Sequence, residues 1–287
     1  MDITDSSRTI LDGLEQLRRW RDRIGLPPAV ERLGIAVTDI GPEQTVTRMP
    51  LPPELLLPDG RPSAAPPAML ADFGLVTAIV GSLPRPGAAI TISMTVDHLA
   101  PTPPSGVLVA TCRAQPYADG GPQHAHGQIR DGDGRLVASM SGWFLPNHAD
   151  LRAPAPPAGM VAEPAAAHLL DLLGVPQPAA RDGDGVGFPL AVRHALTNVV
   201  GTLHGGAGAI SALLAAEAAL GPGARLLSST YAYLRPAPAG SVVDVTARVH
   251  RKGRRTASVR SALTAHDGRE ALRVEVVAQP GAAAAPA

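Results

Sequence analysis

The sequence predicts an α+β fold of two tandem units, in each of which an antiparallel sheet wraps round one long apolar helix. Three observations support this prediction: an internal repeat, one strongly apolar helical segment in each copy, and a series of strand-like segments after each helix. The first unit is expected at residues 1–148, a proline- and alanine-rich linker at 149–163 and the second unit at 164–287. A chain of 287 residues is long enough for two cores of ordinary domain size.

The repeat relates residues 60–146 to residues 201–280. Three blocks correspond in the same order, with offsets of 141, 135 and 134 residues: Gly60 with Gly201, residues 95–101 with 230–236, and residues 133–135 with 267–269. Matching blocks in a fixed order, separated by small gaps, indicate a duplication.

The two segments predicted to be long helices are residues 68–80 and 207–220. Both are apolar on nearly every face, so each needs a sheet around it to be buried. Pro66 and Pro67 suit the first turn of the first helix, where a proline loses no hydrogen bond.

Strand-like segments surround each helix, and a shorter helix precedes each unit. An amphipathic helix is predicted at residues 10–23, with a weaker counterpart at 165–173. A strand region at 33–50, interrupted by Gly41 and Pro42, precedes the first long helix. The remaining predicted strands are residues 89–99, 107–115, 125–129 and 136–145 in the first unit, and 186–195, 226–234, 242–249, 257–266 and 271–278 in the second.

Composition excludes several classes of protein. Lys plus Arg and Asp plus Glu number 25 each, so no net charge points to nucleic acid or an anionic membrane. The single cysteine, Cys112, lies in a strand-like run and is expected in the core. No membrane span or signal peptide is apparent, so a cytoplasmic location is expected, and no cofactor is expected.

The two copies differ in a complementary way around the start of the long helix. The second copy has Asn198, His204, Gly205 and Gly206 where the first has Leu57, Ser63, Ala64 and Ala65. The first copy has Asp72 where the second has Leu213. One copy therefore keeps a glycine-rich helix start and the other keeps an acid, which suggests a single site built jointly by both.

Asn-x-x-Gly-x-x-His-Gly-Gly at residues 198–206, a long apolar helix and the Tyr-Leu-Arg-Pro strand end at 233–236 together resemble the hot-dog-fold acyl-CoA thioesterases, the phenylacetate-pathway type above all. The resemblance spans residues 33–277 as a tandem double hot dog. It implies that the two units pair as a pseudo-dimer with joined sheets and a site at their interface.

The resemblance also implies roles for individual residues. The Gly205 N–H would bind the thioester carbonyl oxygen, and Asp72 would act as general base or as nucleophile. Thr91, ten residues before Pro101, would touch the water, and its counterpart in the second copy is Leu226. Asn198 and His204 complete the helix-start side. Gly206 would bind substrate. Arg254 and Arg255 belong to a basic hairpin that could hold the phosphates of coenzyme A or could be a solvated charged turn.

Alternatives remain open at this level. Glu217, one helical turn after Leu213, competes with Asp72 as the acid. His204 and Asn198 could brace the loop, and His124 and His126 could bind a metal or face solvent. The protein is expected to be a thioester hydrolase that acts on acyl-CoA at one intact site, with its pseudo-symmetric counterpart inactive. A non-catalytic acyl-CoA sensor and a hydratase are the alternatives. A homo-oligomer of the double unit is possible, and no nucleic-acid partner is expected.

Overall fold

The computed structural model describes residues 13–42, 44–115, 121–147, 165–181 and 185–281. The predicted linker at 149–163 lies outside these residues, as do the first residues of the predicted helix at 10–23. The helices are α1 (Gly13–Arg21), α2 (Pro28–Arg32), α3 (Pro66–Gly81), α4 (Leu169–Leu173) and α5 (Gly205–Leu220). Within the described residues, no helix has the length and apolar character needed to cross a membrane.

The described strands form one antiparallel sheet, which confirms the predicted α+β class. The strands are β1 (Ala36–Ile40), β2 (Gln44–Leu51), β3 (Ala88–His98), β4 (Gly106–Gln115), β5 (Gln123–Asp131), β6 (Leu136–Asn147), β7 (Ala179–Arg181), β8 (Gly185–Ala191), β9 (Arg225–Tyr233), β10 (Val242–Lys252), β11 (Ala257–Ala265) and β12 (Glu270–Gln279). Their order across the 12-stranded sheet is β1-β2-β4-β5-β6-β3-β9-β12-β11-β10-β8-β7. Strands from the first half therefore occupy one side of the sheet and strands from the second half the other.

Helices α3 and α5 lie against this sheet and against each other. Each has 16 residues, and Val76 is the one residue of α3 that is not fully buried. Burial of nearly all their residues, apart from the last turn of α5, explains why neither sequence is amphipathic. Helix α3 begins at Pro66, where the missing N–H costs nothing.

The junction of the two halves is the antiparallel pair β3–β9, and its register is symmetric. Thr95 pairs with Thr230, its own counterpart at the 135-residue offset. Met94 pairs with Tyr231 and Val96 with Ser229, and these two pairs exchange under the same offset. A residue that pairs with its own equivalent lies on a two-fold axis, so the halves meet as the subunits of a symmetric dimer do.

Two short helices, α2 and α4, each contact the other half of the chain. The Ala29 N–H of α2 donates to the Thr197 carbonyl at 3.1 Å, and the Leu169 N–H of α4 donates to the Leu56 carbonyl at 2.9 Å. Each thus packs on the loop that leads into the other half's long helix. Helix α2 and strand β7 were not predicted from the sequence, and the predicted strand at 186–195 ends earlier, at Ala191.

A small polar network lies buried at the junction. His98 is 6% exposed, and its Nε2 lies 3.1 Å from the Ser229 hydroxyl, which is 2.9 Å from the Tyr231 hydroxyl. Burial lowers the pKa of His98 to about 4, against a smaller raising effect of the Asp97 charge. Protonating the buried His98 therefore destabilises the folded state.

His98→Gln should make the protein less sensitive to acid. The folded-state pKa of about 4 lies below the 6.5 of the unfolded chain, so the unfolded state binds more protons between these values and stability falls as pH falls. The contribution is on the order of 3 kcal/mol. Denaturant unfolding at pH 7 and pH 4.5 measures it, with exposed His126→Gln on β5 as the control. The same acid dependence in native protein and His98→Gln would contradict this account.

Candidate active site

A cavity of about 410 Å³ lies between the two halves. Helix α3 and strand β3 of the first half form one wall, and the start of α5 and the end of β9 form the other. The predicted residues Asp72, Thr91, Asn198, His204 and Gly205 all line it. Residues from both halves of the sequence are therefore brought together at one place.

The Asp72 carboxylate lies at the start of the opposite helix. It is 2% exposed, and its Oδ2 accepts a hydrogen bond from the Gly206 N–H at 2.7 Å. Its Oδ1 accepts from the Thr91 hydroxyl at 2.8 Å. The His204 Nδ1 lies 3.3 Å from Oδ2. A buried carboxylate needs such partners, and here they come from three different elements.

A β-bulge turns Thr91 toward the acid. The β3–β6 register shifts between Thr91 and Ser93. Beyond the bulge the buried residues of β3 are even-numbered, namely Met94, Val96 and His98, whereas before it Thr91 faces inward to Asp72. The extra residue, Ile92, is 38% exposed. Bulges commonly re-aim side chains in this way.

The start of α5 holds the acid and leaves one donor open. His204 is the N-cap, and its Nδ1 accepts from the Gly206 N–H at 3.1 Å. Because Asp72 accepts from the same N–H, Gly206 positions the acid, and Gly206 itself does not line the cavity. Among the described residues, none accepts a hydrogen bond from the Gly205 N–H. This open amide stands beside the carboxylate at the positive end of a helix.

The two glycines permit close approach. A Cβ on Gly205 would lie 2.8 and 2.9 Å from the Asp72 carboxylate oxygens, and one on Gly206 would lie 2.5 Å from the Met69 sulfur. Glycine at 205 therefore leaves room for the acid, and glycine at 206 lets the two long helices touch.

Asn198 braces the turn before α5. Its Oδ1 accepts from the N–H groups of Val200 and Thr202, and its Nδ2 donates to the Thr202 hydroxyl at 2.9 Å. The side chain lines the cavity while its amide is engaged within the turn. The geometry corresponds to the bracing alternative considered above.

Several cavity residues were not assigned a role from the sequence, among them Trp20, Tyr233 and Arg235. Trp20 of α1 packs against Phe73 with ring centroids 5.8 Å apart, and Arg235 follows β9. The Tyr233 hydroxyl donates to the Gly205 carbonyl at 3.3 Å. Burial, with the charges of Asp72 and Tyr231, raises the pKa of Tyr233, so the phenol remains a donor. The Tyr-Leu-Arg-Pro strand end was the available signal for Tyr233 and Arg235.

Arg254 and Arg255 do not line this cavity. They are exposed in the β10–β11 hairpin, where the Lys252 Nζ donates to the Leu220 carbonyl at 3.3 Å. Leu220 ends α5, whereas Asp72 lies at its start, and the helix between them is about 24 Å long. The expectation that these arginines serve the Asp72 cavity is therefore not supported by their position.

The pseudo-symmetric position, which was expected to be inactive, also carries an acid. The Ser63 hydroxyl donates to Glu217 Oε2 at 2.6 Å, and the Ala64 N–H donates to Oε1 at 2.7 Å. Burial raises the pKa of Glu217, while Ser63, Ala64 and the charge of Arg61 lower it to a smaller extent. Glu217 thus faces the start of α3, away from Gly205, and does not replace Asp72 in the first cavity.

The His124 and His126 rings stack on β5 with centroids 6.2 Å apart, and His124 also packs against Trp143. Burial and the His126 charge lower the pKa of His124. Across the part of the chain that the structure describes, no group of three or more His, Cys, Asp or Glu side chains is placed to hold a metal ion.

Comparison with known families gives a match, which lies in the second half of the chain. Residues 194–279 match the family model described as the acyl-CoA thioesterase N-terminal domain. This segment contains the helix-start motif, α5 and the strands that follow it. A search of curated protein sequences finds no significant match.

Solved structures match nearly the whole chain. The tesB protein of Mycobacterium avium subsp. paratuberculosis has a TM-score of 0.62 at 12% identity, covering 89% of this chain and 99% of that one. Acyl-CoA thioesterase II TesB2 of Mycobacterium marinum has a TM-score of 0.56 at 16% identity, with 90% and 100% covered. The 12:0-ACP thioesterase of Umbellularia californica has a TM-score of 0.58 at 12% identity, with 83% and 94% covered. At such identities these likenesses define the fold alone.

The family model and the shared fold confirm the resemblance to hot-dog acyl-CoA thioesterases. The family model supports a thioester hydrolase as the class of enzyme.

Gly205→Ala should displace the Asp72 carboxylate without unfolding the chain. The new Cβ would lie under 3 Å from both Asp72 oxygens, so the carboxylate must leave its hydrogen bonds. We expect the kcat of thioester hydrolysis to fall at least about tenfold, a loss of roughly 1.4 kcal/mol of barrier stabilisation. Ala64→Gly, at the equivalent position of the first half, is the matched control and should keep kcat. Equal kcat in both variants would contradict the packing argument.

Proposed function

We propose that this protein hydrolyses acyl-CoA thioesters at one composite site between two hot-dog units, residues 1–148 and 164–287, joined by the segment 149–163. The observation that carries the proposal is the Asp72 carboxylate, held 2.7 Å from the Gly206 nitrogen and beside the open Gly205 N–H. Thioester hydrolysis needs a group that activates the nucleophile, here a carboxylate, and a hydrogen-bond donor for the oxyanion. Each half contributes one of them.

The Gly205 N–H would bind the thioester oxygen. Negative charge develops on this oxygen as the carbonyl carbon becomes tetrahedral, and a preorganised backbone donor at a helix start stabilises it. The Tyr233 hydroxyl, bonded to the Gly205 carbonyl at 3.3 Å, helps fix the orientation of this peptide.

Asp72 would activate the nucleophile. As general base it removes a proton from a water that attacks the thioester carbon, and the proton then passes to the departing thiolate of coenzyme A. Thr91 and the Gly206 N–H orient the carboxylate, which keeps further lone pairs for the water. Direct attack by Asp72 gives an anhydride intermediate instead. Single-turnover hydrolysis in oxygen-labelled water distinguishes the two routes, because only the anhydride route can place label in the Asp72 carboxylate.

His204 would position the acid and the helix start. Its Nδ1 faces the Gly206 N–H and the Asp72 carboxylate, and its ring lies 6.4 Å from that of Phe73. A hydratase uses a comparable Asp and His pair, and these two side chains meet although 132 positions separate them in the sequence. Hydration of an enoyl-CoA, followed by loss of ultraviolet absorbance, is therefore the competing reaction to assay beside thiol release.

Apolar walls favour an acyl chain in the cavity. Trp20, Phe73, Val76 and Ile90 line it beside the acid, and an exposed arginine, Arg235, lies on the opposite wall. An apolar chain can lie against the aromatic side, while a guanidinium suits a phosphate of coenzyme A.

Asp72→Asn should lower kcat by about 10²- to 10⁴-fold, because the amide keeps the shape but cannot accept the proton. The Kd for a non-cleavable acyl-CoA thioether should change little, since binding does not depend on the base. Asp97→Asn, on β3 but outside the cavity, is the control for loss of a carboxylate. Thiol release and calorimetric binding are measured on both variants. Turnover of Asp72→Asn at the native rate would remove Asp72 from the mechanism.

Thr91→Ala should lower kcat less than Asp72→Asn, by roughly tenfold, because it removes one hydrogen bond to the carboxylate and leaves the charge. Thr91→Ser restores the hydroxyl and should recover most of the lost rate. A loss in Thr91→Ala that Thr91→Ser fails to rescue would show that packing at this position matters and the hydroxyl does not.

A further inference from the structure

A second cavity, of about 460 Å³, also lies between the halves. It borders Glu217, on the C-terminal half of α5, and the loop before α3. Its walls are mostly apolar, including Leu57, Pro62, Leu170 and Leu214. It therefore combines an apolar lining with a carboxyl group, as the first cavity does.

The acid of this cavity is shifted by one helical turn. At the 141-residue offset Asp72 corresponds to Leu213, and Val76 corresponds to Glu217. In the first half the acid comes first and the apolar residue follows four positions later, and in the second half this order is reversed. The acid of the second half therefore lies about 6 Å further along its helix than the acid of the first. Glu217 still reaches the start of the opposite helix, through Ser63 and Ala64.

The start of α3 has no donor left for an oxyanion. The Ala64 N–H donates to Glu217 and the Ala65 N–H donates to the Ser63 hydroxyl at 3.0 Å. The next two residues, Pro66 and Pro67, have no N–H. The group that Gly205 offers in the first cavity is therefore engaged here, so hydrolysis lacks its electrostatic stabilisation.

The remaining features suit a ligand with an apolar chain and N–H donors. The Glu217 oxygens each accept one hydrogen bond from the protein and have lone pairs to spare. The Arg61 and Asp59 side chains at the rim form an ion pair at 2.6 Å, which leaves the mouth without net charge. The pantetheine arm of an acyl-CoA carries two amide N–H groups and an apolar acyl chain, which matches this lining.

A basic hairpin lies near the same end of α5. Residues 251–255 include the end of β10 and most of the turn to β11. The Lys252 Nζ contacts the carbonyl of Leu220, the residue before the cavity-lining Gly221. Arg254 and Arg255 are exposed there. Guanidinium groups in this place can meet the phosphates of coenzyme A.

Resting on the proposed function for its ligand class, we propose that the second cavity binds a second acyl-CoA without hydrolysing it, with Glu217 accepting from the pantetheine amides and the hairpin 251–255 contacting the phosphates. Each chain then holds two acyl-CoA molecules and cleaves one of them.

The test is calorimetric titration of the native chain with S-octyl-coenzyme A, a thioether that cannot be hydrolysed. We expect two equivalents bound per chain. Ala218→Trp, at an exposed position of α5, fills the second cavity and should reduce binding to one equivalent. Ala89→Trp, in the wall of the first cavity, is the reciprocal variant and should also leave one equivalent. Melting temperatures establish that both variants fold.

A second measurement avoids large substitutions. Reversing the charge of Arg254 and Arg255 to Glu should weaken one of the two binding events about tenfold at low salt, with a smaller effect at high salt. Unchanged affinity for both events would overturn the placement of the phosphates.

Other outcomes separate this inference from the proposed function. Thiol release by the native chain, together with one bound equivalent that Ala218→Trp leaves intact, would overturn the second site and keep the thioesterase. Two bound equivalents without thiol release would keep the second site and overturn the thioesterase. Turnover that survives Asp72→Asn and disappears on Glu217→Gln would show that the second cavity is hydrolytic.

Discussion

The antiparallel pairing of β3 with β9 is the constraint on which both cavities depend. Because Thr95 pairs with its own equivalent, Thr230, the register imposes a two-fold relation on the halves. That relation lays α3 against α5 and brings the start of each helix to a carboxyl group on the other. A shift of this register by one residue would reverse the inward and outward faces of β9 and move the Asp72 carboxylate away from Gly206. The chemistry at the interface thus rests on backbone hydrogen bonds of the sheet.

Symmetry supplies two cavities, and a few side chains make them different. At one helix start the residues are His204-Gly205-Gly206. The Gly206 N–H binds the Asp72 carboxylate, and the Gly205 N–H is left open. At the other they are Ser63-Ala64-Ala65 followed by two prolines; the N–H groups of Ala64 and Ala65 are engaged there, and the prolines have none. On the two proposals made for these cavities, one backbone donor distinguishes the hydrolytic site from the binding site, although both have an acid and an apolar wall.

The sequence was sufficient for the features that depend on local pattern. The repeat and the two apolar helices could be predicted from the sequence pattern itself. The approach of Asp72 to the start of α5 was implied by the resemblance to a known family, and the complementary differences between the two copies pointed the same way. Glu217 was harder, since the residue aligned with Asp72 is Leu213 and only the longer side chain one turn later reaches the opposite helix. Trp20 reaches the cavity through tertiary packing of α1, which no local pattern records. The position of Arg254 depends on which end of α5 its hairpin meets.

The symmetric junction also bears on the order of the halves along the chain. The family model that matches residues 194–279 is described as an N-terminal domain, and here that segment forms the C-terminal half. A two-fold interface makes no distinction between first and second, because each half presents the same edge strand and the same helix to the other. The halves could therefore exchange places by circular permutation, given a connection of sufficient length, and still assemble the same pair of cavities. In such an architecture, the order of the halves along the chain can change while the geometry of the interface is retained.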